Sequence, residues 1–265
     1  MSDIDSLPPG SFCWPELATS DQKAATAFYA KLFGWSQNDN DMGPGGVYSI
    51  FQMRGRDVAA AAALRPEDKQ HGVPPHWNTY ISVANADAAV TRAKELGAKV
   101  LAPAFDVMDA GRMAVLADPG GAVFQVWQPN KHVGTRIQGE NGALCWTELY
   151  THDTRAAEKF YTQLFGWTAK TDSGNTPPAN PPYTEFHLGG RGVGGMLAIQ
   201  KEWGPMPPNW TPYFQVANCD ASASKAGSLG ANVGRKPTDI PAVGRFAMIA
   251  DPQGAMFAIF TPEQK

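Results

Sequence analysis

The chain has 265 residues, beyond the roughly 100–200 of a usual single domain, so two domains are expected. Apolar residues make up 43% and charged residues 18%, and no long apolar run occurs, which excludes a disordered chain and a helical membrane span. The net charge of -3, from 22 Lys and Arg against 25 Asp and Glu, comes without a basic block, so neither nucleic acid nor a membrane is expected as a partner. The acidic start, Met1 to Asp5, has no apolar stretch of the secretory kind. Three cysteines give no disulfide framework, and both features suit a cytoplasmic protein.

In chain order, residues 13–18 alternate as a short strand. Asp21 then caps a helix with apolar positions at Ala24, Ala25, Phe28, Leu32 and Phe33, closed by Gly34. Strands are expected at 47–53 and 58–64 around the Arg54-Gly55-Arg56 turn. A second strand-helix unit follows, with a strand at 78–83 and a helix at 86–96 ended by Gly97. Further strands are expected near Val100 and at 113–117 and 123–127.

This order then recurs. FCWPELATSDQKAATAFYAKLFGW, residues 12–35, matches LCWTELYTHDTRAAEKFYTQLFGW, residues 144–167, in more than half of its positions at an offset of 132. The likeness continues through 51–61 against 186–196, Trp77 against Trp210, and the Asp118-Pro119-Gly120-Gly121 turn against Asp251-Pro252-Gln253-Gly254. Such self-similarity means tandem duplication. The first copy spans residues 1–130, the polar segment 131–142 is the linker, and the second copy spans 143–265. Helices are expected at 154–165 and 221–229 in the second copy, whose main insertion is the Pro-rich loop 177–182.

The paired strand-helix units, the first helix reading Asp21, Phe28-Tyr29 and Leu32-Phe33-Gly34-Trp35, its repeat at Asp153, Phe160-Tyr161 and Leu164-Phe165-Gly166-Trp167, and the closing Asp-Pro-x-Gly turns resemble the vicinal oxygen chelate superfamily. That superfamily includes glyoxalase I, bleomycin-resistance proteins and extradiol dioxygenases. The resemblance covers nearly the whole chain and implies an α+β fold, a tandem duplication in which each copy holds two βαβββ modules curled into a half-open barrel around a ligand cup.

The resemblance also implies where a metal would be held, and this sequence departs from the pattern there. The first-strand ligand position falls on Trp14 and Trp146, whose indoles offer no lone pair. Asn78 and Thr211 stand at the second-module position, Gln125 and Ala258 on the last strand, and no carboxylate lies at 59–61 or 194–196. Three or four converging N, O or S donors are needed, so neither a metal nor another cofactor is expected.

Alternation along a strand puts Glu16 on the face of Trp14, and Glu148 on that of Trp146. A carboxyl among indoles should have a raised pKa and can serve as general acid or base, which makes Glu16 and Glu148 the first catalytic candidates. The same repeat fits glutamates that only fix the barrel through hydrogen bonds. Trp77, Tyr80, Gln125 and Trp127 in the first copy, and Trp210, Tyr213 and Phe260 in the second, are candidate ligand-binding residues beside Trp14 and Trp146, with ordinary core as the competing assignment. His152 and His187 can join Glu148 in an acid/base cluster confined to the second copy. His71, His76 and His132 are expected at the surface, and Cys13 and Cys145 on the helix side of their strands.

These residues lead to a metal-independent protein that binds a small apolar or aromatic molecule, with lyase- or isomerase-type acid/base catalysis as a candidate activity. The alternatives are a drug-sequestering protein like the bleomycin-resistance proteins and, less favoured, a metal-dependent glyoxalase or dioxygenase. The chain is expected to work as a monomer or homodimer.

Overall fold

The computed structural model describes residues 4–172 and 181–263. Residues 177–180 of the Pro-rich insertion lie outside them. The first copy runs β1 (Phe12–Thr19), α1 (Gln22–Phe33), β2 (Ser36–Asp41), β3 (Val47–Met53), β4 (Arg56–Ala63), the short α2 (Pro66–Gln70), β5 (His76–Ser82), α3 (Ala86–Glu95), β6 (Lys99–Val107), β7 (Gly111–Ala117) and β8 (Val123–Pro129). The second runs β9 (Leu144–Thr151), α4 (Thr154–Phe165), β10 (Thr168–Asp172), β11 (Tyr183–Leu188), β12 (Arg191–Ala198), β13 (Asn209–Gln215), α5 (Cys219–Ser228), β14 (Asn232–Ile240), β15 (Gly244–Ala250) and β16 (Met256–Pro262). Two βαβββ modules per copy are therefore present.

Local chemistry sets the helix limits as expected. Asp21 accepts a hydrogen bond from Ala24 N, and Asp153 one from Ala156 N, while Gly34 and Gly166 end α1 and α4 in the left-handed conformation. β2, reading SQNDND, had no signal in the sequence: it is an exposed edge strand that packs no apolar face, so it shows no hydrophobic alternation.

Each copy builds one eight-stranded sheet, in the order β2-β3-β4-β1-β5-β8-β7-β6 and β10-β11-β12-β9-β13-β16-β15-β14. The modules join through the antiparallel pairs β1·β5 and β9·β13. The outermost strands of each sheet do not pair with each other, so each barrel stays half open.

The helix-side cores cross between copies. One cluster packs Phe28, Tyr29, Trp35 and Phe51 of the first copy with Phe214, Phe257 and Ile259 of the second. The other packs Phe124 and Ile81 with Phe160, Tyr161 and Phe186. Two buried hydrogen-bond chains tie the copies: Trp77 donates to Tyr29 Oη (3.1 Å), which donates to Asp251 (3.0 Å), and Trp210 donates to Tyr161 Oη (2.8 Å), which donates to Asp118 (2.9 Å). The repeated Asp-Pro-x-Gly turns are thus the anchor points of one copy on the other.

The linker is built into the fold. Thr135 N donates to Cys13 O (2.7 Å), Arg136 N to Asp57 O (2.7 Å), and Trp35 Nε1 to Gly142 O (2.7 Å). Gly134 has φ +101°, and a Cβ there would run into the Cys13 carbonyl. Gly134→Ala is therefore expected to cost about 2–4 kcal/mol through a left-handed backbone and a backbone collision, read as a lower urea midpoint at unchanged slope. An unchanged midpoint would mean that the linker is not held this way.

Candidate functional site

The two cup faces carry the candidate site, and their geometry begins with a bulge. The register of β1 against β5 slips between Phe12 and Trp14, leaving Cys13 as the extra residue, and β9 slips likewise at Cys145. After the slip Trp14 and Glu16 face the cup, whereas Phe12 packs on Trp167 and Trp210 in the helix-side core. The helix-side placement expected for the cysteines is corrected in the first copy: Cys13 packs with Trp14, Tyr80 and Trp127, its Sγ on Tyr80 O. Burial pushes both thiols up, that of Cys145 to about 12, which makes them poor nucleophiles.

In the first cup Tyr48 Oη donates to Glu16 Oε2 (2.8 Å), Tyr80 Oη to the same oxygen (3.1 Å), and Asn78 Nδ2 to Oε1 (3.3 Å). Trp14 Nε1 donates to Tyr48 Oη (3.0 Å), and Gln125 Nε2 to Asn78 Oδ1 (2.8 Å). Tyr48 lies two strands from Glu16, and neighbouring strands are about 4.8 Å apart, so only a concave sheet lets both tyrosines reach one oxygen.

The second cup repeats the unit. Tyr183 Oη donates to Glu148 Oε2 (3.0 Å), Tyr213 Oη to Oε1 (2.9 Å), and Trp146 Nε1 to Tyr183 Oη (2.9 Å). Tyr150 Oη adds a contact at 2.9 Å from Tyr213 Oη, where the first copy has Ala18. A Cβ on Gly195 would occupy the place of the Tyr183 ring, so this glycine allows the tyrosine to lie against the strand.

Burial raises the pKa of Glu16 and of Glu148, and the surrounding tyrosine hydroxyls only partly offset it by stabilising the charged form. The tyrosines themselves are held well above their ordinary range, first by burial and then by the carboxylate charge. In each cup the phenols therefore stay protonated and act as donors to the carboxyl.

The structure brings together Trp14, Glu16, Tyr80, Gln125 and Trp127 in one cup, and Trp146, Glu148, Tyr213 and Phe260 on the face of the other. It does not bring Trp77 and Trp210 there. Each lies one position out of phase with the cup-facing residues of its strand and sits in the helix-side core on Tyr29 or Tyr161. Nor does it assemble the histidine cluster: His152 is exposed beyond the end of β9, and His187 pairs with Glu185 at 3.2 Å rather than with Glu148. His132, expected at the surface, packs against the indoles of Trp14 and Trp127 instead. Its ring meets Trp14 edge-on at 4.6 Å, Trp127 Nε1 donates to its carbonyl (2.8 Å), and burial lowers its pKa. Tyr48 and Tyr183 escaped the sequence reading, although they recur at the offset of 135 shared by Phe51 and Phe186.

Metal chemistry depends on donors. Among the described residues no three His, Cys, Asp or Glu side chains converge as a metal site, and Glu16 and Glu148 are already engaged by phenols. These residues do not fit the metal that the resemblance implies. No helix among the described residues is long and apolar enough to cross a membrane.

Comparison with known proteins agrees with the architecture. The family model for the glyoxalase/bleomycin resistance protein/dioxygenase superfamily matches residues 12–126 and again 143–259. The chain is 44% identical over 253 residues, 94% of both chains, to CFP32 of Mycobacterium tuberculosis, provisionally named a glyoxylase. It is 36% identical over 262 residues, 95% of this chain and 93% of the relative, to the anthracycline biosynthesis protein DnrV of Streptomyces peucetius. The fold is shared with the Mn(II)-bound glyoxalase of Novosphingobium aromaticivorans, at a TM-score of 0.67 and 15% identity over 96% of this chain and 82% of that one. Two family-model matches, one per copy, together with two sheets of two βαβββ modules each, place the chain in the glyoxalase/bleomycin resistance protein/dioxygenase superfamily.

Proposed function

We propose that the chain binds a small apolar or aromatic organic molecule in its cups without a metal ion, and that Glu148 and Glu16 are the groups that exchange protons with it. The observation that carries this reading is the twice-built unit of indole, two phenols and one glutamate, Trp14-Tyr48-Glu16-Tyr80 and Trp146-Tyr183-Glu148-Tyr213. An indole fills the place where the superfamily resemblance implies a metal ligand, and a carboxyl whose pKa burial raises stands two residues on, suited to taking or giving a proton. The names of the relatives, a glyoxylase and a protein of anthracycline biosynthesis, are compatible with small organic ligands.

The test combines elemental analysis for Fe, Mn, Zn, Ni and Co, on protein purified without an affinity metal, with ligand titration before and after chelator. Near-zero metal and unchanged binding are expected. A stoichiometric metal whose removal abolishes binding would overturn the reading. Glu148→Gln is expected to stop turnover while changing affinity little.

A second reading, sequestration without chemistry, is favoured by one feature: both oxygens of Glu148 are already satisfied by phenols inside the protein. It predicts that Trp146→Ala weakens binding sharply and that no product forms in any variant.

A further inference from the structure

The two cups share a base but not a wall. Tyr80 and Tyr213 occupy equivalent positions, and so do Trp127 and Phe260, one strand over. On the next two strands the copies part. The first copy pairs Ala102 with Val115 and places Met113 beside Trp127, whereas the second pairs Arg235 with Met248 and places Phe246 beside Phe260. Arg235 Cζ sits 4.9 Å from the Phe246 ring centroid, Phe246 stacks on Tyr213 at 6.3 Å and 29°, and Tyr213 Oη reaches Glu148 at 2.9 Å. A row therefore runs from an exposed guanidinium, along an aromatic wall, to the buried carboxyl.

The exposure of the aromatic walls differs in the same direction, while that of the glutamates runs the other way, Glu16 being partly exposed and Glu148 buried. Trp14 and Trp127 are buried at 4% and 5% exposure beneath His132, while Trp146, Phe246 and Phe260 are all partly exposed. The equivalent surface arginines Arg112 and Arg245 are each held by two aspartates, but Arg235 has no hydrogen bond or ion pair among the described residues and rests only on an aromatic face. A planar guanidinium in that state keeps its fork of donors available for a bidentate carboxylate. Its positive charge also reaches Glu148, where it favours the ionised form.

We propose that the second cup is specific for aromatic carboxylic acids: the ligand's carboxylate pairs with Arg235 at the mouth, its ring lies along Phe246, Phe260 and Trp146, and a hydroxyl at its far end faces Glu148. This rests on the reading of the cups as ligand sites, and it names the ligand class for one of them. The first cup, with Ala102 at the position of Arg235, does not share the preference.

Calorimetric titration with 6-hydroxy-2-naphthoate and with its neutral counterpart 6-(hydroxymethyl)-2-naphthol tests it. The unmodified protein is expected to bind the acid about tenfold or more tightly than the alcohol, as one charge-assisted pair allows. Arg235→Gln should erase that preference by weakening the acid alone, and Arg235→Lys should keep part of it. Because Arg235 is exposed and makes no hydrogen bond, these variants are expected to fold normally. Equal affinity for the two probes, or a preference that survives Arg235→Gln, would overturn the role of Arg235 while leaving the cup reading intact. Binding of neither probe would overturn the cup reading and this inference with it.

Discussion

Replacing Asp251 by alanine is expected to lower the free energy of unfolding by about 3–5 kcal/mol, the range for removing one partner from a buried charged hydrogen-bond network. Asp251 is 3% exposed and accepts from Gln253 N (2.9 Å), Ala255 N (2.9 Å) and Tyr29 Oη (3.0 Å). The substitution strands a buried phenol in the opposite copy and two amides of the closing turn. It also loosens the stack in which Trp77 donates to Tyr29. Tyr29→Phe removes one hydroxyl from the same chain and leaves the turn amides satisfied, so a smaller loss of about 1–2 kcal/mol is expected. Urea unfolding followed by tryptophan fluorescence reads both. Asp118→Ala should match Asp251→Ala, because Asp118 accepts from Ala122 N and Tyr161 Oη in the same way. A cost below that of Tyr29→Phe for either aspartate would mean that these turns do not hold the copies together.

The stability of the protein should fall as pH rises above the ordinary glutamate range, and exchanging Glu16 and Glu148 for glutamine should flatten that fall. Burial raises the pKa of both carboxyls in the folded chain, so the folded state holds these protons more tightly than the unfolded state. The stability they contribute is complete below the unfolded pKa, near 4.3, and is lost as pH rises through the folded value. Each pH unit between the two values corresponds to roughly 1.4 kcal/mol per group. Glu148, at 5% exposure, should carry more of the effect than Glu16, which is partly exposed and hence better solvated. Melting temperature against pH, for the parent chain and for Glu16→Gln, Glu148→Gln and the double variant, measures this directly. A slope in the double variant as steep as in the parent would assign the pH dependence to Asp118 and Asp251, whose carboxyls burial also raises.

The same carboxyls explain why the cups were partly readable beforehand. Glu16 and Glu148 stand two residues from a tryptophan on strands with clear alternation, so parity alone placed them beside the indoles. Parity also separates Trp77 from Tyr80 and Trp210 from Tyr213, since three positions along a strand change face. The indoles of Trp77 and Trp210 accordingly belong to the helix-side core. The bulges at Cys13 and Cys145 had no sequence signal, because an extra residue in one strand is defined only against its partner.

Sequence by itself determined the duplication, the βαβββ order and the helix caps, all of which depend on local chemistry or on self-comparison at a fixed offset. Tertiary structure decided the rest. Tyr48 and Tyr183 converge on the glutamates only because the sheet curls across two strands. His132 comes from the linker to pack edge-on against Trp14 in the first cup. Arg235 reaches the mouth of the second through pairing with β15. These contacts join residues up to 118 positions apart, and a pair that distant in sequence is specified by strand register and curvature, which no single segment encodes.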